Sequence, residues 1–166
     1  MTPPFFVYGT LRPGGPNHDR FLRGRTDAEE PARLGGAVLF DGPGFPYAVE
    51  EAGGVVRGEL VTVRAQVYGD LLDALDRLEE YVPGDPRSLY HRVERDVVRD
   101  ADGVPVRAWV YLAAPAVAAR LRARGVRIAG GDWWGRAGAR PDLSAPGPSA
   151  ATAPPAPPPP AAPRTP

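Results

Sequence analysis

The chain has no cysteine and no lysine, and each absence removes a class of chemistry. Without thiols there is no thiolate nucleophile, no thiolate zinc site and no disulfide. Without lysine there is no Schiff-base amine and no phosphate-loop ammonium. His18 and His91 are the only histidines, too few for a multi-histidine metal site. Serine occurs only at Ser88, Ser144 and Ser149, none of them in a Gly-x-Ser-x-Gly turn. The formal net charge is +0, so no electrostatic hold on nucleic acid is expected. No run approaches the roughly 18 apolar residues of a membrane span and no export signal opens the chain. The expectation is therefore a cytoplasmic protein with neither a nucleic-acid nor a membrane partner. If it is an enzyme, it works with carboxylates, hydroxyls, arginine and backbone dipoles.

What is present divides into one domain and an appendage. From Pro141 to Pro166 the chain is almost entirely Pro, Ala, Ser and Thr, without apolar periodicity. Such a stretch cannot bury a core, so a disordered or polyproline tail is expected over 141–166, after a domain spanning 1–140. The tail reads either as a solvated extension or as a protein-binding ligand for an aromatic groove.

Within the domain the pattern is rich in strands. Phe5-Phe6-Val7-Tyr8 is a buried-strand run, and Arg33–Phe40, Tyr47–Glu51 and Val55–Val63 follow it. His91–Asp100 and Val104–Ala113 predict a hairpin around Asp102-Gly103, with the residues of a tight primed turn. In the last strand Val104, Val106, Ala108, Val110 and Leu112 share one face, while Arg107, Trp109 and Tyr111 share the other. Large residues on both faces imply a curled sheet or barrel with helices packed outside. Two helices are expected, Asp70 to about Glu80 and Ala116–Arg124, the second stopped by Gly125.

Two features carry chemistry. The first strand empties into Gly9-Thr10-Leu11-Arg12 and then Pro13-Gly14-Gly15-Pro16-Asn17-His18. Bare backbone at a strand end is either a simple turn or a cradle of N–H donors for an oxyanion or carboxylate. The second is Glu79, which the helical wheel places on the stripe formed by Leu71, Leu72, Leu75 and Leu78. A carboxylate aimed at a core is costly unless paired. Either an arginine or helix-end fraying relieves it, or burial raises its pKa and makes it a proton shuttle near neutral pH. Together the two features suit acyl chemistry whose nucleophile arrives with the substrate.

At this point the motifs resemble those of the γ-glutamylcyclotransferase-like proteins. That family includes γ-glutamylamine cyclotransferases, plant avirulence-induced proteins and a butirosin-pathway deglutamylase. The resemblance rests on Val7-Tyr8-Gly9-Thr10-Leu11-Arg12, Gly58-Glu59-Leu60, Leu75-Asp76-Arg77-Leu78-Glu79, Tyr90-His91-Arg92-Val93, Val110-Tyr111 and Gly131-Asp132-Trp133, in the expected order from Phe5 to Trp134. It implies an α+β fold, a small mixed β-barrel flanked by short helices. It also implies release of 5-oxoproline from a small-molecule γ-glutamyl substrate, with neither metal nor organic cofactor. Glu79 takes the place of the family's acid/base. Tyr8, Gly9, Thr10 and Leu11 take that of its substrate cradle, and Tyr90 and Tyr111 line the pocket. Two departures lie beside the site: Glu80 stands where many members have glycine, and Tyr81–Leu89 is longer than usual. A silent γ-glutamyl-binding protein and a tailoring deglutamylase are the alternative readings. Arg92 is read as an ordinary exposed strand residue rather than a carboxylate clasp, and His18 as a turn residue.

Overall fold

The structure, a computed structural model, describes residues 2–135. The expected tail and the boundary at residue 140 lie outside the described residues. Five strands close a barrel in the order β1-β3-β2-β4-β5. They are β1 (Phe5–Val7), β2 (Thr26–Asp41), β3 (Pro46–Val63), β4 (Tyr90–Arg99) and β5 (Pro105–Ala113). Three α-helices accompany them: α1 (His18–Phe21), α2 (Tyr68–Leu78) and α3 (Pro115–Arg124). The barrel is mixed, because β1 runs antiparallel to β3 but parallel to β5, which it meets at Phe5↔Trp109.

Alternation along each strand builds two cores. Phe6, Leu34, Leu39, Val56, Leu60, Val97 and Val110 fill the barrel interior. Phe5 and Val7, on the opposite face of β1, pack with Tyr111 of β5 and with Leu71 and Leu75 of α2. The two-sided burial expected of the last strand is therefore present. Leu71 and Leu75 are fully buried, and each is worth about 1.5–3 kcal/mol in water removed from its side chain.

The sequence pattern misplaces several boundaries, each for a local reason. The runs 47–51 and 55–63 are one strand, because Gly53 adopts φ +82 and carries the chain through a bulge rather than a break. Its neighbour Gly54 could not bear a side chain: a Cβ there would lie 2.3 Å from the Ala37 carbonyl oxygen. Strand β2 begins at Thr26, well before Arg33, because residues 26–32 pair with the far end of β3 despite their charges. The β4–β5 connection is not a two-residue primed turn. Gly103 alone has positive φ, its N–H donates to Arg99 O, and Asp102 accepts from Val104 N. Helix α2 starts at Tyr68 and stops at Leu78, two residues short of Glu80.

Candidate active site

The site begins where α2 ends. Glu79 is its C-cap and donates its N–H to Leu75 O at 2.9 Å. Glu80 follows with φ +50, the one non-glycine residue of positive φ among the described residues. Its N–H donates to Arg77 O, and that of Tyr81 donates to Asp76 O at 2.9 Å. This pair of bonds is the Schellman closure, whose left-handed position normally falls to glycine. The unusual residue at this position is thus a conformational matter: the Glu80 side chain occupies a backbone geometry that glycine would adopt freely.

Ending the helix here leaves the Glu79 side chain facing Tyr8, Tyr90 and Tyr111 across one pocket. Its walls are β1 and the turn Gly9-Thr10-Leu11, the Phe45-Pro46 corner, Leu75 of α2, and the three tyrosines. Its envelope, open solvent at the mouth included, is about 440 Å³. All of the candidate residues read from the sequence therefore line one space. Glu79 keeps partial solvent access while burial alone raises its carboxyl from the ordinary 4.5 to about 7. No hydrogen bond to that carboxylate offsets the burial among the described residues.

Opposite it, the N–H groups of Gly9, Thr10 and Leu11 donate to no acceptor among the described residues. The turn that holds them is closed by Arg12 N–H to Gly9 O at 3.1 Å and Asn17 N–H to Thr10 O at 3.0 Å. Gly9 is glycine for a reason the sequence did not disclose. A Cβ there would lie 2.8 Å from Pro46 Cδ, so the missing side chain admits the Phe45-Pro46 corner as well as baring the backbone.

The tyrosine side chains hold the site rather than offering free hydroxyls. Tyr8 donates to Tyr111 O and accepts from Ala48 N, Tyr90 donates to Pro46 O at 2.8 Å, and Tyr111 donates to Asp76 Oδ1 at 2.7 Å. Burial is the leading cause that raises all three phenols, and the Glu79 charge adds to it, so they stay neutral.

Three motifs meet at a residue the sequence reading assigned no role. The Arg12 guanidinium is buried, forks onto both Glu59 oxygens at 2.7 and 2.9 Å, and reaches Asp132 Oδ1 at 2.7 Å. It thereby ties the Gly9–Asn17 turn to β3 and to the end of the domain. Alternating polarity alone could not reveal this; only the opposite charges at Arg12, Glu59 and Asp132 hinted at it. Arg92 is not the exposed strand residue expected. It lies over the Trp109 ring at 4.4 Å with its Nε 3.1 Å from Asp76 Oδ1, outside the pocket. His18 opens the short helix α1 and contacts Glu29 Oε1 at 2.7 Å.

The family model for γ-glutamyl cyclotransferase, AIG2-like, matches residues 5–134. The γ-L-glutamyl-butirosin B γ-glutamyl cyclotransferase of Niallia circulans is 35% identical over 111 residues, spanning 66% of this chain and 66% of that protein. A mouse AIG2-like protein superposes with a TM-score of 0.50 at 28% identity, covering 68% of this chain and 77% of the mouse chain. An uncharacterized Pyrococcus horikoshii protein shares the fold with a TM-score of 0.55 at 23% identity, over 80% of this chain and 91% of its own. The barrel, the order of the motifs and these matches place the chain in the γ-glutamyl cyclotransferase, AIG2-like family.

Proposed function

We propose that the chain converts a γ-glutamyl amine or peptide into 5-oxoproline and a free amine by intramolecular aminolysis, with Glu79 as acid and base. The observation that carries this reading is the unpaired, pocket-lining Glu79 with its carboxyl raised to about 7. A γ-glutamyl amide brings its own nucleophile. Its α-amino nitrogen attacks the γ-carbonyl carbon, a C–N bond closes the five-membered ring, and the original amide C–N bond breaks. Glu79 takes a proton from the substrate ammonium, whose reference pKa is about 8, and returns it to the departing nitrogen; the second proton shed by the ring nitrogen goes to solvent, from which the freed amine takes one up. A donor and an acceptor so close in pKa transfer that proton at little cost in either direction. The unengaged N–H groups of Gly9, Thr10 and Leu11 hold the glutamyl group folded on itself and steady the oxyanion. One such donor is typically worth about 3–4 kcal/mol, and folding the chain removes entropy from the barrier.

Glu79→Gln tests the proposal, because it keeps the shape of the side chain and removes the proton carrier. It should lower 5-oxoproline release by about 10²–10⁴-fold while the protein stays folded. Turnover retained in that variant would remove Glu79 from the mechanism. Wild-type protein that binds γ-glutamyl amines without releasing product would favour a silent binding protein instead. The similarity to the Niallia circulans enzyme favours a second substrate assignment, removal of a γ-glutamyl cap from a specialised metabolite. The chemistry is the same, and product release from a γ-glutamyl-capped natural product distinguishes it.

A further inference from the structure

Beyond Glu79 lies a second depression that shares Glu79, Thr10, Phe45 and Tyr90 with the first and adds Asn17, Leu78, Glu80 and Leu89. If Glu79 protonates the departing nitrogen, the glutamyl half of the substrate occupies one side of the carboxylate. Whatever is attached to that nitrogen then leaves toward the other side, which is this annex. Resting on the proposed reaction, we propose that the annex receives the departing amine and that Glu80 selects amines carrying a second positive charge.

The charge pattern gives the annex this preference. Its charged lining residues are both acidic, Glu79 and Glu80, and no arginine lines it. Glu80 makes no ion pair with any described arginine, although neighbouring surface carboxylates do, Asp85 with Arg87 among them. Its placement is fixed by the backbone. The left-handed turn at φ +50 sets its direction, and its carbonyl accepts from Leu89 N–H at 3.3 Å. That bond closes the base of the long Tyr81–Leu89 excursion, which is pinned internally by Ser88 Oγ to the backbone of Val82. The unusual residue and the unusual loop thus contribute to one lining, in which Leu89, Phe45 and Leu78 supply apolar surface for methylene groups.

The Glu80 charge also reaches toward the barrel. Burial first raises the Tyr47 phenol, Arg120 of α3 lowers it, and Glu80 and Glu79 raise it again. Tyr47 stacks on Tyr90, a wall shared by both depressions, at a centroid distance of 4.9 Å. A departing α-amino acid or peptide would bring its carboxylate toward Glu80, a like-charge contact. An alkyl diamine or polyamine would bring an ammonium, an opposite-charge one. The annex therefore favours a γ-glutamyl conjugate whose departing amine carries a second ammonium, as in a diamine or polyamine.

The test uses three synthetic conjugates of the full chain's expected substrate type: γ-glutamyl-butylamine, mono-γ-glutamyl-1,4-diaminobutane and γ-glutamyl-alanine. The wild-type kcat/KM for the diamine conjugate should exceed that for the butylamine conjugate by about fivefold at low salt, with the alanine conjugate poorest. Added salt should shrink the ratio. Glu80→Gln should bring the diamine-to-butylamine ratio close to one, chiefly through KM, and Glu80→Gly should do the same on a relaxed backbone. A ratio unchanged in both variants, or an alanine conjugate preferred by the wild type, overturns the selection. Absence of 5-oxoproline from every conjugate would count against the proposed reaction instead. Calorimetric binding of the same three compounds then decides the annex: a diamine preference lost in Glu80→Gln supports it, and equal binding overturns it.

Discussion

Glu79 is held in a state that folding disfavours. Its folded carboxyl has a pKa of about 7 against an ordinary 4.5, so the native state takes up the proton more readily than the unfolded chain does. Below about pH 4.5 both states are protonated and nothing is lost; above about pH 7 the native state carries a buried, unpaired charge. The resulting destabilisation is fully developed on the alkaline side, of the order of 1–3 kcal/mol after allowance for its partial solvent access. Glu79→Gln should therefore raise the melting temperature at pH 8, and the gain should fade as the pH is lowered toward 4.5, by calorimetry across that range. At the adjoining position, Glu80 pays a left-handed backbone cost of about 1 kcal/mol that glycine avoids. Glu80→Gly should raise stability by about that amount in urea titrations, without a change in m-value. The inward direction of Glu79 was legible in the spacing of Leu71, Leu75 and Leu78. The reason for the glycine preference after it was not, because a Schellman closure depends on where the helix stops, and the leucine stripe runs past that point.

At the scale of the element, α2 is positioned by Asp76. Its Oδ1 accepts from the Tyr111 hydroxyl at 2.7 Å and sits 3.1 Å from Arg92 Nε, fastening the last turn of the helix to β4 and β5. Glu79 lies one residue short of a turn beyond it, so this fastening sets where the proton carrier stands. Asp76→Asn keeps the volume but leaves Arg92 without its counter-charge. It should cost about 2–3 kcal/mol, reduced from the fully buried value because both groups keep some water. It should also lower kcat more than it raises KM, measured with any turned-over γ-glutamyl amine. Existence of α2, α3, β4 and β5 followed from period and turn residues, whereas the four-residue α1 around His18 was read as a turn. The lengths of β2 and β3 did not, because the charges of residues 26–32 hid their pairing with β3 and Gly53 read as punctuation whereas in the barrel it lies at a bulge with φ +82.

At the scale of the whole molecule, the Arg12 fork joins segments from opposite ends of the domain. Removing it leaves the Glu59 carboxylate, 15% exposed at its side chain, without its partner. Arg12→Ala should therefore destabilise by about 3–5 kcal/mol, and Arg12→Lys should recover only part of it, since an ammonium cannot fork onto both oxygens. Chemical denaturation of the two variants checks both statements. The motifs that carry these three residues were visible in the chain, yet their pairing was not, because contacts 47 and 120 residues apart leave no local period.

The barrel meets itself along a short seam. Strand β1 has three residues, and its bridge to β5 consists of Phe5↔Trp109 with the neighbouring Trp109 N–H to Pro4 O bond. Few backbone bonds must break for that join to part, so amide protons there have a short route to deuterium. The strand that can part is also the one that feeds the Gly9 turn. A ligand spanning the turn and Glu79 would act as a staple across the join, so occupancy of the pocket and closure of the cylinder reinforce one another.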